Sequence, residues 1–497
     1  MTLGNRLCRW FVVTACVIAD LGAADAASDK PLLHPLFSDE AVLQRDKPVA
    51  VWGWAAPGAT VSVALTGSGL AAKPSTVKTG TDGKWKTNIG PFVAGGPYVL
   101  AASSGSSTAE AKDVLVGDVW LCSGQSNMEW VVKQAANGTE EAAKANWPQI
   151  RHIKVPKNST LKPQELFVGQ WKAANPANTA AFTAVGYYMA RQLHQELKIP
   201  IGLVHSSWGG TMAQEWTSLE VLTTLPEFTK QIAALQTPPP APAAGPAKGP
   251  VRVGVTGLYN GMIAPLIPLT FTGAIWYQGE SNAGSAMGYR TLLPAMITDW
   301  RTRFAQGDFP FLIVSLANYQ DRLDKPADAP WAELREAQAM TVKKLPACGL
   351  ALAIDIGDAK NIHPGNKQEV GRRLALNALA LVYGQKIEWS GPWYRAMTSE
   401  GSAIRLQFDH LGGGLVTSDN APITGFAIAG EDKQFVWAEA KIDGETIIVS
   451  APTVTKPVAV RYAWASNPAC NLANKAGLPA VPFRTDEWPR QVVPAKK

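Results

Sequence analysis

The sequence predicts an α/β fold, a parallel sheet flanked by helices, with β-sandwich-like segments on its N- and C-terminal sides. Three observations lead there. Between about residues 114 and 385, short apolar β-rich runs alternate with helical stretches. Before and after that region the chain shows strand-like runs punctuated by Gly, Pro and Asp-Gly turns. The loops that follow the central apolar runs hold the Gly-rich and polar residues.

Taken in order, the chain begins with Arg6 and Arg9, an apolar stretch over 10–21 and a small-residue Ala24-Asp25-Ala26. This pattern reads as an export signal over residues 1–27 and implies a periplasmic or extracellular location. The stretch is too short to span a bilayer, and no other segment predicts a membrane span. Val13-Thr14-Ala15-Cys16 also resembles a lipoprotein cleavage box, but it stands close to Arg9.

Residues 28–113 read as an N-terminal β-rich segment. Val49-Ala50-Val51-Trp52-Gly53-Trp54 and Thr60-Val61-Ser62-Val63-Ala64-Leu65 are strand-like, Asp82-Gly83 marks a hairpin, and Gly95-Gly96-Pro97 precedes Tyr98-Val99-Leu100. Residues 114–395 form the predicted α/β domain. Its strands are expected over 114–122, 199–206, 272–277, 310–316 and 349–356, and its helices over 185–197, 289–304, 331–345 and 367–383. A Pro/Ala-rich insertion occupies 237–250. Residues 396–497 return to β-structure, with strands at 403–408, 435–438, 446–449 and 458–462 and an Asp443-Gly444 hairpin. Whether the two β-segments form one domain or two is open at this level.

Composition excludes some functions. The net charge of +6 is dispersed, without the basic stripe that nucleic-acid binding requires. Cys122, Cys348 and Cys470 remain after signal cleavage, an odd count that leaves at least one free thiol. His34, His152, His194, His205, His363 and His410 show no metal-ligand spacing, so neither a metal nor another cofactor is predicted. The 18 Trp residues suit sugar stacking, although most are expected in the core.

In an open parallel sheet the loops at the C-terminal strand ends share one rim. Here they read Ser123-Gly124-Gln125-Ser126-Asn127-Met128, Ser207-Trp208-Gly209-Gly210-Thr211, Gln278-Gly279-Glu280-Ser281-Asn282 and the stretch from Asp355 to His363. Ser126 follows a strand and opens a predicted helix, whose first N–H groups face an oxyanion forming beside it. A serine hydroxyl needs a base, and His363 lies in a Pro/Gly-flanked loop on the same rim. Separately, Ser126 reads equally as a helix N-cap and His363 as a surface histidine; their shared rim points to nucleophile and base.

The block from Val114 through Gly117-Asp118-Val119-Trp120-Leu121-Cys122-Ser123-Gly124-Gln125-Ser126-Asn127-Met128 strongly resembles the nucleophile block of the sialate O-acetylesterase family, a branch of the SGNH hydrolases. So do Trp208-Gly209-Gly210-Thr211, Gln278-Gly279-Glu280-Ser281-Asn282, and Ile362-His363-Pro364 with Lys367 and Val370-Gly371. Val42-Leu43-Gln44-Arg45-Asp46-Lys47-Pro48-Val49, Gly477-Leu478-Pro479 and Pro482-Phe483-Arg484-Thr485-Asp486 extend the resemblance to nearly the whole mature chain. It implies an SGNH-like sheet and a serine esterase acting on O-acetylated carbohydrate. It further implies Ser126 as nucleophile, His363 as base, and an oxyanion hole from the N–H of Ser126, the N–H of Gly210 or Gly209, and the Gln278 amide. Glu280 would support these from behind, its alternative being a surface carboxylate.

The acid of the triad departs from the pattern. SGNH enzymes usually place an Asp three residues before the His and this family often two, where this chain has Lys360 and Asn361. Asp358 is the favoured substitute, while Asp355 reads as buried and structural. Glu280 from the neighbouring loop, or a Ser–His dyad with Asn361 or a carbonyl orienting the ring, are the alternatives. The expected substrate is an acetylated oligo- or polysaccharide, with plant cell-wall xylan or xyloglucan ahead of O-acetylated sialic acid. A non-catalytic carbohydrate-binding protein is the competing class. The absence of a long apolar lid argues against a lipase.

Overall fold

The computed structural model describes residues 30–235 and 251–489. The expected export signal at 1–27 and the Pro/Ala-rich insertion at 237–250 lie outside the described residues. The central sheet runs in the order Lys172–Ala174, Trp147–Lys154, Ile201–Ser207, Ser107–Gly124, Gly273–Tyr277, Phe311–Val314, Cys348–Ala351. All neighbouring pairs are parallel except the antiparallel edge pair Lys172–Ala174 with Trp147–Lys154, so this central sheet is mixed. The strand Trp147–Lys154 escapes the sequence reading because its polar residues break the apolar run.

Residues of the central strand alternate between two cores. Val119 and Leu121 join one, while Trp120 and Cys122 join the other. With both faces covered, the strand must be apolar throughout, which is why 114–122 reads as a continuous run. Helices Ala184–Leu197 and Lys367–Leu381 pack on the Trp120 side; Ala286–Phe304 and Pro330–Lys344 pack on the other. All four predicted helices appear within a few residues of their expected bounds.

The strand Ser107–Gly124 is 18 residues long and crosses the expected boundary at 113/114. Its first half pairs antiparallel with Gly95–Ser104, and its second half pairs parallel with the catalytic strands. The N-terminal β-segment therefore shares a sheet and a core with the catalytic region. Gln44 and Arg45 lock the junction. Gln44 Nε2 and Arg45 Nε both donate to Asp118 Oδ1 at 3.0 Å, and Tyr383 donates to Oδ2 at 2.8 Å.

The C-terminal segment builds separate antiparallel sheets around its own core. Arg335, buried in a catalytic-region helix, ties it on by donating to the carbonyls of Leu316, Ala317, Ala465 and Ser466 at 2.7–2.9 Å. The late family-like run is structural: Asp486 receives Arg461 at 2.8 and 2.9 Å, and Arg484 reaches Glu336 at 2.7 Å. Cys122, Cys348 and Cys470 are all free thiols. Among the described residues no helix is long and apolar enough to cross a membrane.

Three histidines are held neutral by burial. His34 and His152 are pushed down to about 3, and His205 well below its ordinary value, in each case mainly by desolvation. His152 Nε2 meets His205 Nδ1 at 3.3 Å, and His205 Nε2 meets Ser207 Oγ at 2.6 Å. In the unfolded chain these rings protonate below about pH 6.5, so in acid the unfolded state binds more protons than the folded one. Stability is expected to fall as pH drops from 6.5 toward 3, by on the order of 1 kcal/mol per histidine per pH unit. Thermal melts between pH 7 and 4.5 test this; a melting temperature independent of pH there would refute it.

Candidate active site

The register of three strands creates the site. Gly124 pairs with both Ser207 and Tyr277, so the three chains leave the sheet at one level. Ser126, the Trp208-Gly209-Gly210 turn and the Gln278-Gly279-Glu280 loop emerge side by side. Gly124 is required there: at φ +137 a Cβ would lie 2.2 Å from the Tyr277 carbonyl oxygen.

His363 reaches this rim from the loop after strand Cys348–Ala351, and its Nε2 lies 2.8 Å from Ser126 Oγ. The predicted nucleophile and base are thus in hydrogen-bond contact. The ring stacks on Trp130, centroid to centroid 4.8 Å with planes 19° apart. Burial first, and the Lys367 ammonium second, hold the imidazole below its ordinary pKa. The ring is therefore neutral at pH 7, as a base must be.

Ser126 opens a helix of only four residues, so individual N–H groups act here and the macrodipole is minor. Among the described residues, the N–H groups of Ser126 and Gly210 donate to no protein acceptor. Gly209 N–H is taken by Glu129 Oε2 at 2.8 Å. Its lack of a side chain matters instead: a Cβ there would sit 3.1 Å from Ser126 Cβ. Of the three predicted backbone donors, Ser126 and Gly210 are the open ones.

Gln278 does not belong with them. Its amide nitrogen donates to Thr211 O at 3.1 Å and Asn282 Oδ1 at 2.7 Å, and its oxygen accepts from Tyr289 at 2.8 Å. Both amide hydrogens are committed and the side chain is fully buried, so it braces the Thr211 loop and offers nothing to an oxyanion.

The expected acid is also displaced. Asp358 is exposed, and its Oδ1 accepts the N–H of Lys360 at 2.7 Å and of Asn361 at 3.2 Å. It folds back on its own loop. Asp355, expected to be buried, is exposed, yet it binds Arg373 through both oxygens at 2.6 and 2.7 Å as a structural pair. Asn361 accepts the His363 backbone N–H at 2.9 Å without touching the ring. Among the described residues no carboxylate hydrogen-bonds to the His363 ring. Glu280 lies behind the site, where its Oε1 accepts from Asn127 Nδ2 at 2.6 Å and burial raises its pKa.

The sequence reading missed Trp130, Asn127 and Lys367 as site residues. Trp130 stands four residues after Ser126, and Lys367 four after His363, spacings that on helices would have placed each beside its partner. The Ser126 helix is one turn long and His363 lies in a loop, so only the fold reveals these contacts.

A cleft of about 780 Å³ lies elsewhere, between strand Val49–Trp54 and residues near Pro268 and Phe304, and none of these site residues lines it. Most tryptophans are buried, as expected.

Asp358→Ala is expected to keep kcat within a factor of about three, because removing an exposed loop acceptor disturbs no ring contact. Steady-state kinetics on a chromogenic acetyl ester would measure it. A loss of about 10⁴-fold, the cost of deleting a working triad acid, would restore Asp358 to that role.

Similarity to characterised proteins agrees with this geometry. The family model described as carbohydrate esterase, sialic acid-specific acetylesterase, matches residues 116–380, more than half of the chain. A sialate O-acetylesterase of Homo sapiens is 32% identical, over 91% of this chain and 92% of its own length. That of Mus musculus is 32% identical over 89% and 92%. The crystal structure of a carbohydrate acetylesterase from Xanthomonas citri superposes with a TM-score of 0.82 at 43% identity, covering 92% of this chain and 99% of its own. These likenesses replace the non-catalytic sugar-binding alternative with an enzyme: the chain belongs to the sialic acid-specific acetylesterase family of carbohydrate esterases and is a carboxylic ester hydrolase.

Proposed function

We propose that this esterase removes O-acetyl groups from carbohydrate with Ser126 as nucleophile and His363 as general base, working as a dyad. The observation that carries this reading is the 2.8 Å contact of His363 Nε2 with Ser126 Oγ. Ser126 Oγ attacks the acetyl carbonyl carbon while His363 Nε2 takes its proton. The negative oxygen of the tetrahedral intermediate meets the N–H groups of Ser126 and Gly210. The C–O bond to the sugar then breaks, and the imidazolium returns the proton to the departing sugar hydroxyl. Water, deprotonated by the same ring, attacks the acetyl-serine; acetate leaves and Ser126 regains its proton.

The proposed substrate is an acetylated plant cell-wall polysaccharide of xylan or xyloglucan type, met outside the cytoplasm. The export-like N-terminus and the β-segments flanking the catalytic sheet favour a polymer. The second reading is O-acetylated sialic acid, which the mammalian relatives are named for.

Ser126→Ala is expected to abolish ester hydrolysis in a folded protein, with circular dichroism as the check on folding. Activity near the unsubstituted level would remove Ser126 as nucleophile. Acetate release from acetyl-xylan, acetyl-xyloglucan and O-acetyl-sialic acid is expected to be fastest, by kcat/KM, on one of the two polymers. Preference for the sialic acid derivative would select the second reading.

A further inference from the structure

Beneath the rim lies a buried charge cluster that the ester chemistry does not use. Lys367 is the first residue of helix Lys367–Leu381 and is fully buried. Its Nζ donates to Asn127 Oδ1 at 2.5 Å and sits 5.4 Å from the Tyr277 ring centre and 5.9 Å from that of Trp130. The Asn127 amide nitrogen donates to Glu280 Oε1 at 2.6 Å and to the Ile362 carbonyl at 3.1 Å. Ile362 directly precedes His363, and Trp130 is the surface on which the His363 ring lies. The cluster therefore grips the base twice, at its backbone and at its face.

A buried ammonium is costly unless it is compensated. Here the compensation is incomplete. Glu280 is bridged to Lys367 by Asn127 and, among the described residues, makes no direct ion pair with it. Burial pushes Lys367 down to about 7 while Glu280 holds it up. A packed apolar side chain often serves stability as well. What it would not supply is a cation beside a histidine base, and among the described residues no carboxylate holds that ring.

We propose that Lys367 is a positioning residue that takes over the orienting task of the absent triad acid. Through Asn127 it fixes the Ile362 carbonyl, and together with Trp130 it keeps the imidazole seated on Ser126 and neutral. The proposal rests on Ser126 and His363 being nucleophile and base.

The charged and titratable groups around the pair are few. Asp358 and Lys360 lie exposed in the histidine's own loop, Tyr277 is raised by burial, and Glu129 is bound to Gly209 and Lys157. Glu280 acts on Lys367; of all these groups Lys367 is the one whose charge acts on the His363 ring.

The test compares the full-length enzyme with Lys367→Met and with Lys367→Met/Glu280→Gln. The double variant removes both buried charges together and so avoids leaving a bare carboxylate. Hydrolysis of p-nitrophenyl acetate is followed across pH, with thermal melts as the control for folding. In each folded variant kcat is expected to fall roughly tenfold or more with KM changed less than about twofold. The acid limb should move up toward the free-histidine value of about 6.5. A kcat loss with an unmoved acid limb reduces Lys367 to a structural part and overturns the proposal, as does unchanged kcat. Should both variants fail to fold, NMR titration of His363 in the unsubstituted enzyme decides, since a midpoint at or above about 6.5 overturns it. Failure of the underlying reading looks different: Ser126→Ala would stay active.

Discussion

The side chain of Asn127 makes three bonds on which the arrangement of the site depends. It accepts from Lys367, donates to Glu280 and donates to the Ile362 carbonyl, all within 3.1 Å. These partners come from a helix start, a strand-end loop and the histidine loop. Asn127 itself is the neighbour of Ser126, so the Ser126 segment is joined to the His363 segment by one amide. An amide suits the position because it donates and accepts at once; a carboxylate there would face Glu280 with like charge.

That amide works only because the sheet delivers its partners to one place. Parallel strands in register end at a common level, and the chain turns outward from Gly124, Ser207 and Tyr277 together. Close approach then demands small residues. Gly124 passes against the Tyr277 carbonyl, and Gly209 passes against Ser126 itself. The Gly-x-Ser and Trp-Gly-Gly patterns are therefore consequences of packing as well as marks of chemistry.

The electrostatics of the rim follow from burial. With no carboxylate on its ring among the described residues, His363 gains no stabilisation of its charged form, and a nearby ammonium disfavours that form further. Such a ring stays neutral at lower pH, but it must be held in place by other means. Stacking on Trp130 and the anchored Ile362 carbonyl provide them. The buried His152, His205 and Ser207 beneath the Trp208 turn use the same physics for a different end, since neutral rings there satisfy one another's hydrogen bonds and fill the core.

The sequence by itself determined the layout. Continuous apolar runs marked the doubly covered strands, helical periodicity marked the four flanking helices, and the strand-end loops brought Ser126 and His363 to one rim. Those features are local, set by which faces of each segment must be buried. The edge strand Trp147–Lys154, the fusion of the N-terminal segment through the long strand Ser107–Gly124, and the separate C-terminal core all depended on pairing between distant segments. Side-chain direction was likewise beyond the sequence. Gln278 and Asp358 lie in the expected loops, yet one amide is consumed by Thr211 and Asn282 and the other side chain caps its own turn. Residue type and spacing determine which groups reach a rim; only the tertiary structure decides which of their hydrogen bonds are already taken, because each polar group satisfies its nearest available partner in the folded chain.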